Sequence, residues 1–125
     1  AIKVLHYKGC STCKQALAWL KAQKVTFEAV DQVEEPPGVA ELEGLWKASG
    51  LALKAFFNIS GESYRKGNFK DRLPAMSEAA QLAALAADGK LIKRPILAVV
   101  DGTGAVQGVS VGFKQDEWAK LVVKR

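Results

Sequence analysis

Two cysteines, Cys10 and Cys13, sit in the run Gly9-Cys10-Ser11-Thr12-Cys13-Lys14. The run follows an apolar, strand-like segment, Ile2-Lys3-Val4-Leu5-His6-Tyr7, and precedes a segment with helical periodicity. A Cys-x-x-Cys pair at such a junction is suited to thiol redox chemistry. The first thiol falls at the helix N-terminus and the second one turn further in. Free N–H groups and the positive end of the helix dipole favour thiolate over thiol there. A free cysteine with a pKa of ~8.5 is only slightly ionised at pH 7, and a fall to ~6–7 makes the thiolate a major species. Cys10 is therefore the candidate nucleophile, with Lys8 and Lys14 adding positive charge nearby. Cys13 is the candidate resolving thiol. It could attack a mixed disulfide on Cys10 and close an intramolecular bridge, because helical spacing puts both sulfurs on one side. A zinc half-site and a pair of inert core thiols are the alternatives. Zinc takes four ligands, and besides the two cysteines the chain offers only His6.

Arg94 and Pro95 form the second feature, in Lys93-Arg94-Pro95-Ile96. Proline is allowed at the first position of a strand, and a cis bond there would turn the backbone toward the thiols. Arg94 would then lie at the same end of the sheet, able to hold an oxyanion by a forked hydrogen bond. The residues fit a solvent-facing arginine equally well. Arg65, in the glycine-flanked run Ser63-Tyr64-Arg65-Lys66-Gly67, is a third candidate, since loops often carry function. His6 reads as structural. Trp19, Trp46 and Trp118 read as core or core-edge groups.

The elements that must position these residues follow from periodicity. Ile2 to Tyr7 reads as a buried strand. Over Thr12 to Gln23, Cys13, Ala16, Leu17 and Leu20 follow the helical i, i+3, i+4, i+7 rule. Val25 to Val30 is rich in β-formers and predicts a second strand, parallel to the first through a right-handed βαβ unit. Pro36-Pro37-Gly38 announces a helix whose apolar face is Val39, Leu42, Leu45 and Trp46, closed by Gly50. Leu51 to Phe57 predicts a short helical turn, and Asn58 to Asp71 a loop with helical pieces. Ser77 caps a helix over about Glu78 to Asp88, with Gly89 at the expected C-terminal cap. Ile96 to Val100 and Ala105 to Val111 flank the turn cluster Asp101-Gly102-Thr103-Gly104 and predict an antiparallel hairpin. Asp116 and Glu117 open a last helix with Trp118, Leu121 and Val122 on its apolar face. The order is β-α-β, a helical block, then β-β-α: an α/β fold with a mixed sheet and helices packed on it.

Composition narrows the function classes. The chain has 125 residues, 49% apolar and 25% charged, which suits one globular domain. The balance of 18 Lys+Arg against 13 Asp+Glu gives +5, which favours anionic partners weakly. The basic residues are scattered, so direct nucleic-acid binding is not expected. No apolar run is long enough for a membrane span, and no secretory leader is read at the start. Two cysteines in one close pair fit a cytoplasmic redox role better than a disulfide framework.

The ordered motif set resembles the arsenate reductase ArsC/Spx family. It comprises Gly9-Cys10-Ser11-Thr12-Cys13-Lys14, Phe56-Phe57-Asn58-Ile59-Ser60-Gly61 with Tyr64-Arg65, Lys70-Asp71-Arg72-Leu73 leading to Met76-Ser77-Glu78, Asp88-Gly89 with Leu91-Ile92-Lys93-Arg94-Pro95, and Val111-Gly112-Phe113-Lys114 leading to Glu117-Trp118. The resemblance implies a thioredoxin-like fold over residues 1–125, with a helical insertion at about 36–90 and a cis bond before Pro95. It implies Cys10 as nucleophile and Arg65 and Arg94 as two of the three arginines that surround an oxyanion in the glutathione- and glutaredoxin-dependent arsenate reductases. The third falls near Val111-Gly112-Phe113, where this chain has no arginine. Spx-type members instead use Cys-x-x-Cys as a redox switch and bind the RNA polymerase α subunit, and Cys13 agrees with that pattern. The implied function is a thiol–disulfide redox protein acting on a small oxidant, a disulfide or an oxyanion. Glutathione would serve as co-substrate and glutaredoxin or thioredoxin as partner. No metal or resident cofactor is implied.

Overall fold

The structure, a computed structural model, describes residues 1–123, with side chains through residue 122. Strand β1 (Ile2–His6) leads into helix α1 (Ser11–Ala22) and strand β2 (Glu28–Asp31). A helical block follows: α2 (Val39–Ser49), a 3-10 turn at Leu53–Phe56, α3 (Glu62–Lys66), α4 (Phe69–Arg72), a second 3-10 turn at Leu73–Ala75, α5 (Glu78–Ala87) and a third at Gly89–Leu91. Strands β3 (Ile96–Val100) and β4 (Val106–Val111) and helix α6 (Gln115–Val123) complete the chain. The sheet order is β2-β1-β3-β4. β1 runs parallel to β2 and antiparallel to β3, and β3 pairs antiparallel with β4, so the sheet is mixed.

Alternation along β1 sorts its side chains onto two faces. Ile2 and Val4, with Leu97 of β3, pack under α1 and α6 against Ala16, Leu20 and Trp118. Leu5, with Ile96 and Ala98, faces the helical block and meets Leu42, Leu45, Phe56, Phe57, Leu85 and Ile92. With both faces covered, β1 is buried at Ile2, Val4 and Leu5, which is why its sequence reads as a nearly unbroken apolar run. Trp118 is fully buried, and its indole N–H donates to the Gly112 carbonyl at 3.0 Å, so it carries no unpaired polar group into the core. This layer seats α1, and α1 in turn seats the cysteines.

Three sequence expectations are corrected. β2 begins at Glu28, not Val25. After α1 the chain must reverse: Lys24 takes a left-handed φ of 59° and the Val25 N–H returns to the Leu20 carbonyl at 3.4 Å, so these residues close the helix before pairing can begin. Val39, expected on the apolar face of α2, is 44% exposed because it occupies the first helical position, outside the packed stripe of Leu42 and Leu45. Gly89 is not the C-terminal cap of α5; Asp88 fills that place with extended dihedrals. Gly89 lies against the backbone of Gln32, and any Cβ there would collide with the Gln32 carbonyl. Close approach, not helix termination, requires the glycine.

Candidate active site

The turn from β1 into α1 builds the thiol site. The Cys10 N–H donates to the Tyr7 carbonyl at 3.0 Å, closing the turn. Gly9 keeps it compact, since a Cβ there would stand 2.8 Å from the Tyr7 ring. Cys10 is the N-cap residue of α1, with extended dihedrals (φ −100°, ψ 117°). Its Sγ accepts the N–H of Cys13 at 3.3 Å, the role a serine or aspartate oxygen plays at ordinary helix starts. The first turn of α1 carries no acidic residue to oppose an anion.

The two thiols differ sharply. Burial opposes ionisation of Cys10, but the side chain and backbone N–H of Cys13, together with the Arg94 guanidinium, outweigh it and hold the Cys10 pKa below 9.0. Cys13 has no exposed surface. Burial, then donation of its own S–H to the Cys10 sulfur, pushes its pKa up to about 12. One sulfur is thus shifted toward thiolate, while the other is held as a thiol beside it. Both cysteines are free.

Arg94 comes from the loop entering β3, and the Arg94–Pro95 peptide bond is cis. The guanidinium lies over the Tyr7 ring, 4.9 Å from its centroid, and its Nη1 donates to the Lys90 carbonyl at 3.3 Å. Its Nε is buried with no hydrogen-bond partner. Lys90 adds a second cation over the same ring, 5.9 Å from the centroid. Sequence reading missed Tyr7, Lys90 and the buried Gln32 as members of this neighbourhood. The Asp88-Gly89 step was the one available signal, and it pointed to a helix end.

The other candidates are placed differently. Arg65 is exposed, and its guanidinium donates to the Ser60 carbonyl at 3.0 Å rather than to either thiol. It lies on the flank of the same turn as Lys90: the Glu62 carboxyl is held down chiefly by Lys66, with smaller contributions from Arg65 and Lys90. Lys8, expected to add charge to Cys10, pairs with Glu34 at 3.0 Å in solvent. In the Val111-Gly112-Phe113 run, near which a third arginine is implied, Gly112 takes a left-handed φ of 81°, and a Cβ there would stand 3.6 Å from the Lys93 side chain. No group of three or more His, Cys, Asp or Glu residues that could hold a metal ion occurs among the described residues. No helix among them is long and apolar enough to cross a membrane.

A mixed sheet with helices on both faces, a cysteine pair opening the first helix and a cis-proline loop beside it define a thioredoxin-like fold. The sequence profile of the ArsC family matches residues 5–121. The chain is 45% identical over 112 residues to the uncharacterized protein YusI of Bacillus subtilis (strain 168), covering 90% of each sequence. Among solved structures, an ArsC family related protein from Bacteroides fragilis superposes with a TM-score of 0.87 at 40% identity, covering 96% of both chains. A possible arsenate reductase from Streptococcus mutans UA159 superposes with a TM-score of 0.81 at 33% identity, covering 94% of this chain and 97% of that one. The protein belongs to the ArsC family.

Proposed function

We propose that this protein is a thiol-dependent reductase of the cytoplasm, with Cys10 as nucleophile and Cys13 as resolving thiol. The carrying observation is the Cys10 sulfur at the start of α1, with the N–H of Cys13 aimed at it and the Arg94 guanidinium beside it. The Cys10 thiolate attacks one sulfur of a disulfide substrate, forming a mixed disulfide and expelling the other half as thiolate. Cys10 then carries no charge, so the effect that held the Cys13 proton weakens. Cys13 passes its proton to the departing thiolate and attacks the Cys10 sulfur. The second half of the substrate leaves as a thiolate, which takes its proton from water, and the Cys10–Cys13 disulfide remains. Glutathione, or a dithiol protein such as glutaredoxin or thioredoxin, returns the pair to the reduced state. The Arg94 guanidinium beside Cys10 offers an anionic substrate group a cation to pair with, and Pro95 sets the loop that carries it. The Streptococcus mutans neighbour supports the reductase class.

Two finer readings rest on particular residues. Arsenate reduction with glutathione and glutaredoxin would use Arg94 and Arg65, but the Val111-Gly112-Phe113 run supplies no third arginine. Losing one charge-assisted anchor costs roughly 1.5–3 kcal/mol of anion affinity. That same gap, with a complete Cys-x-x-Cys, favours a redox-switch regulator that binds the RNA polymerase α subunit.

The deciding experiment measures reduction of glutathione disulfide and of arsenate by wild type and Cys10→Ser. A loss of about a thousandfold or more on one substrate in the variant is expected for the reductase; undiminished turnover rules out Cys10 as nucleophile. Arsenite release assigns arsenate as substrate. Redox-dependent capture of the α subunit with no turnover on either substrate assigns the regulator instead.

A further inference from the structure

Gln32 follows β2 and is fully buried, an unusual place for an amide. Its Nε2 donates to the Gly89 carbonyl at 2.8 Å and to the Ile92 carbonyl at 3.0 Å. These two carbonyls bracket the 3-10 turn Gly89–Leu91. The Gln32 backbone N–H is itself fixed to the His6 carbonyl at the end of β1, at 2.8 Å. Gly89 rests on the Gln32 carbonyl so closely that no side chain fits between them. The opposite side of the turn is held to the helical block, where Leu91 accepts from Asn58 at 2.7 Å and Lys93 donates to Phe56 at 2.8 Å. Gln32 is the side chain that joins the turn to the strand end beneath the thiols.

The turn matters to the site through its middle residue. The Lys90 carbonyl accepts Arg94 Nη1, and this is the hydrogen bond that aims the guanidinium across Tyr7. The Gln32 Oε1 is buried with no partner. A buried amide with an unmet acceptor is a poor packing choice beside methionine or leucine. Its two donor contacts give it a task that methionine or leucine could not perform.

We infer that Gln32 is a positioning residue for Arg94: it bolts the Gly89–Leu91 turn to the end of β1 and so fixes the guanidinium over Tyr7 beside Cys10. The inference rests on the reading of Cys10 as the reactive thiol. Gln32 touches neither sulfur and acts only through the turn and Arg94.

The test is the pH profile of iodoacetamide alkylation of Cys10 in the full chain, followed by mass, for wild type, Gln32→Met, Arg94→Met and the double variant. Circular dichroism and urea unfolding confirm that each is folded. Methionine keeps the volume and removes both donors. Gln32→Met is expected to slow alkylation at pH 7 by about threefold to tenfold, a rise of roughly half to one pKa unit. In the Arg94→Met background it is expected to add nothing further, because both changes act through one guanidinium. A folded Gln32→Met with the wild-type profile overturns the inference, and so does an equal slowing in both backgrounds. If Gln32→Met does not fold, the milder Gln32→Asn, which keeps the amide and shortens its reach, carries the same two readings. A wild-type midpoint at or above 9.0 overturns the underlying assignment of Cys10 as well, and so separates the two failures.

Discussion

The two ends of β3 are built on opposite terms. At the hairpin end, Asp101 accepts four hydrogen bonds: from the Thr103 N–H at 2.8 Å, the Thr103 hydroxyl at 2.6 Å, the Ala105 N–H at 3.1 Å and the Gln107 amide at 2.7 Å. The Asp101 carboxylate is filled from the turn and from the start of β4. At the entrance to β3, Arg94 Nε and Gln32 Oε1 are buried and unpartnered, and the Cys10 thiol is shifted toward its ionised form. Both ends concentrate charge in a tight turn. One is complete in itself; the other sets a guanidinium beside a partly exposed nucleophile. A polar cluster with nothing left to give stabilises the fold, whereas one with open valences can receive a ligand.

The contrast can be broken by exchanging the expected losses. Arg94→Met should slow Cys10 alkylation at pH 7 by about tenfold, since one pKa unit is a tenfold change in thiolate. It should cost only about 0.5–2 kcal/mol of unfolding free energy, the range of a partly buried cation–π contact, read by urea titration. If stability collapses and reactivity persists, Arg94 belongs with Asp101 as a structural group.

Cys13→Ala sharpens the picture from the side of pH. The reduced native state holds the Cys13 proton up to about 12, while the unfolded chain releases it near 9.0. Between those values the unfolded state binds fewer protons, so wild-type stability must fall as pH rises, by up to ~1.4 kcal/mol per unit from this group. The variant should lose that component of the alkaline slope, measured by urea unfolding at pH 8 to 11. An unchanged slope means that Cys13 does not carry its proton as described.

Asp101→Ala should lower stability and leave the Cys10 alkylation profile untouched. Its carboxyl pKa is held below 3.8 chiefly by the Thr103 side chain and N–H. The contribution is therefore present at neutral pH and fades as pH falls through the native pKa. The variant's deficit should shrink in acid. A shift in Cys10 reactivity would show that the two ends communicate. The smallest effect is expected for Lys8→Ala, which should leave the alkylation rate within error, because the ammonium is engaged with Glu34 in solvent.

Much of this arrangement was legible in the chain. Ile96–Val100 was legible at both ends, because Pro95 and the Asp101 turn punctuate an apolar run. α5 was legible from its cap: the Ser77 hydroxyl accepts the Ala80 N–H at 3.1 Å, a signal written in neighbouring residues. Cys10 at a helix start followed from the same local grammar. What escaped reading is tertiary. β-propensity at Val25 lost to the need to reverse the chain after α1. Gly89 looked like a cap because its true reason, the carbonyl of Gln32, lies far away in sequence. Tyr7, Lys90 and Gln32 carry no local pattern; they join the site because a turn after α5 is pinned to the end of β1.

The complete burial of Cys13 beside a half-buried Cys10 has a practical corollary. A bulky maleimide should find a single sulfur on the folded chain and both once it unravels. Counting attached labels by mass would then report the folded fraction directly, with no added dye and no engineered reporter.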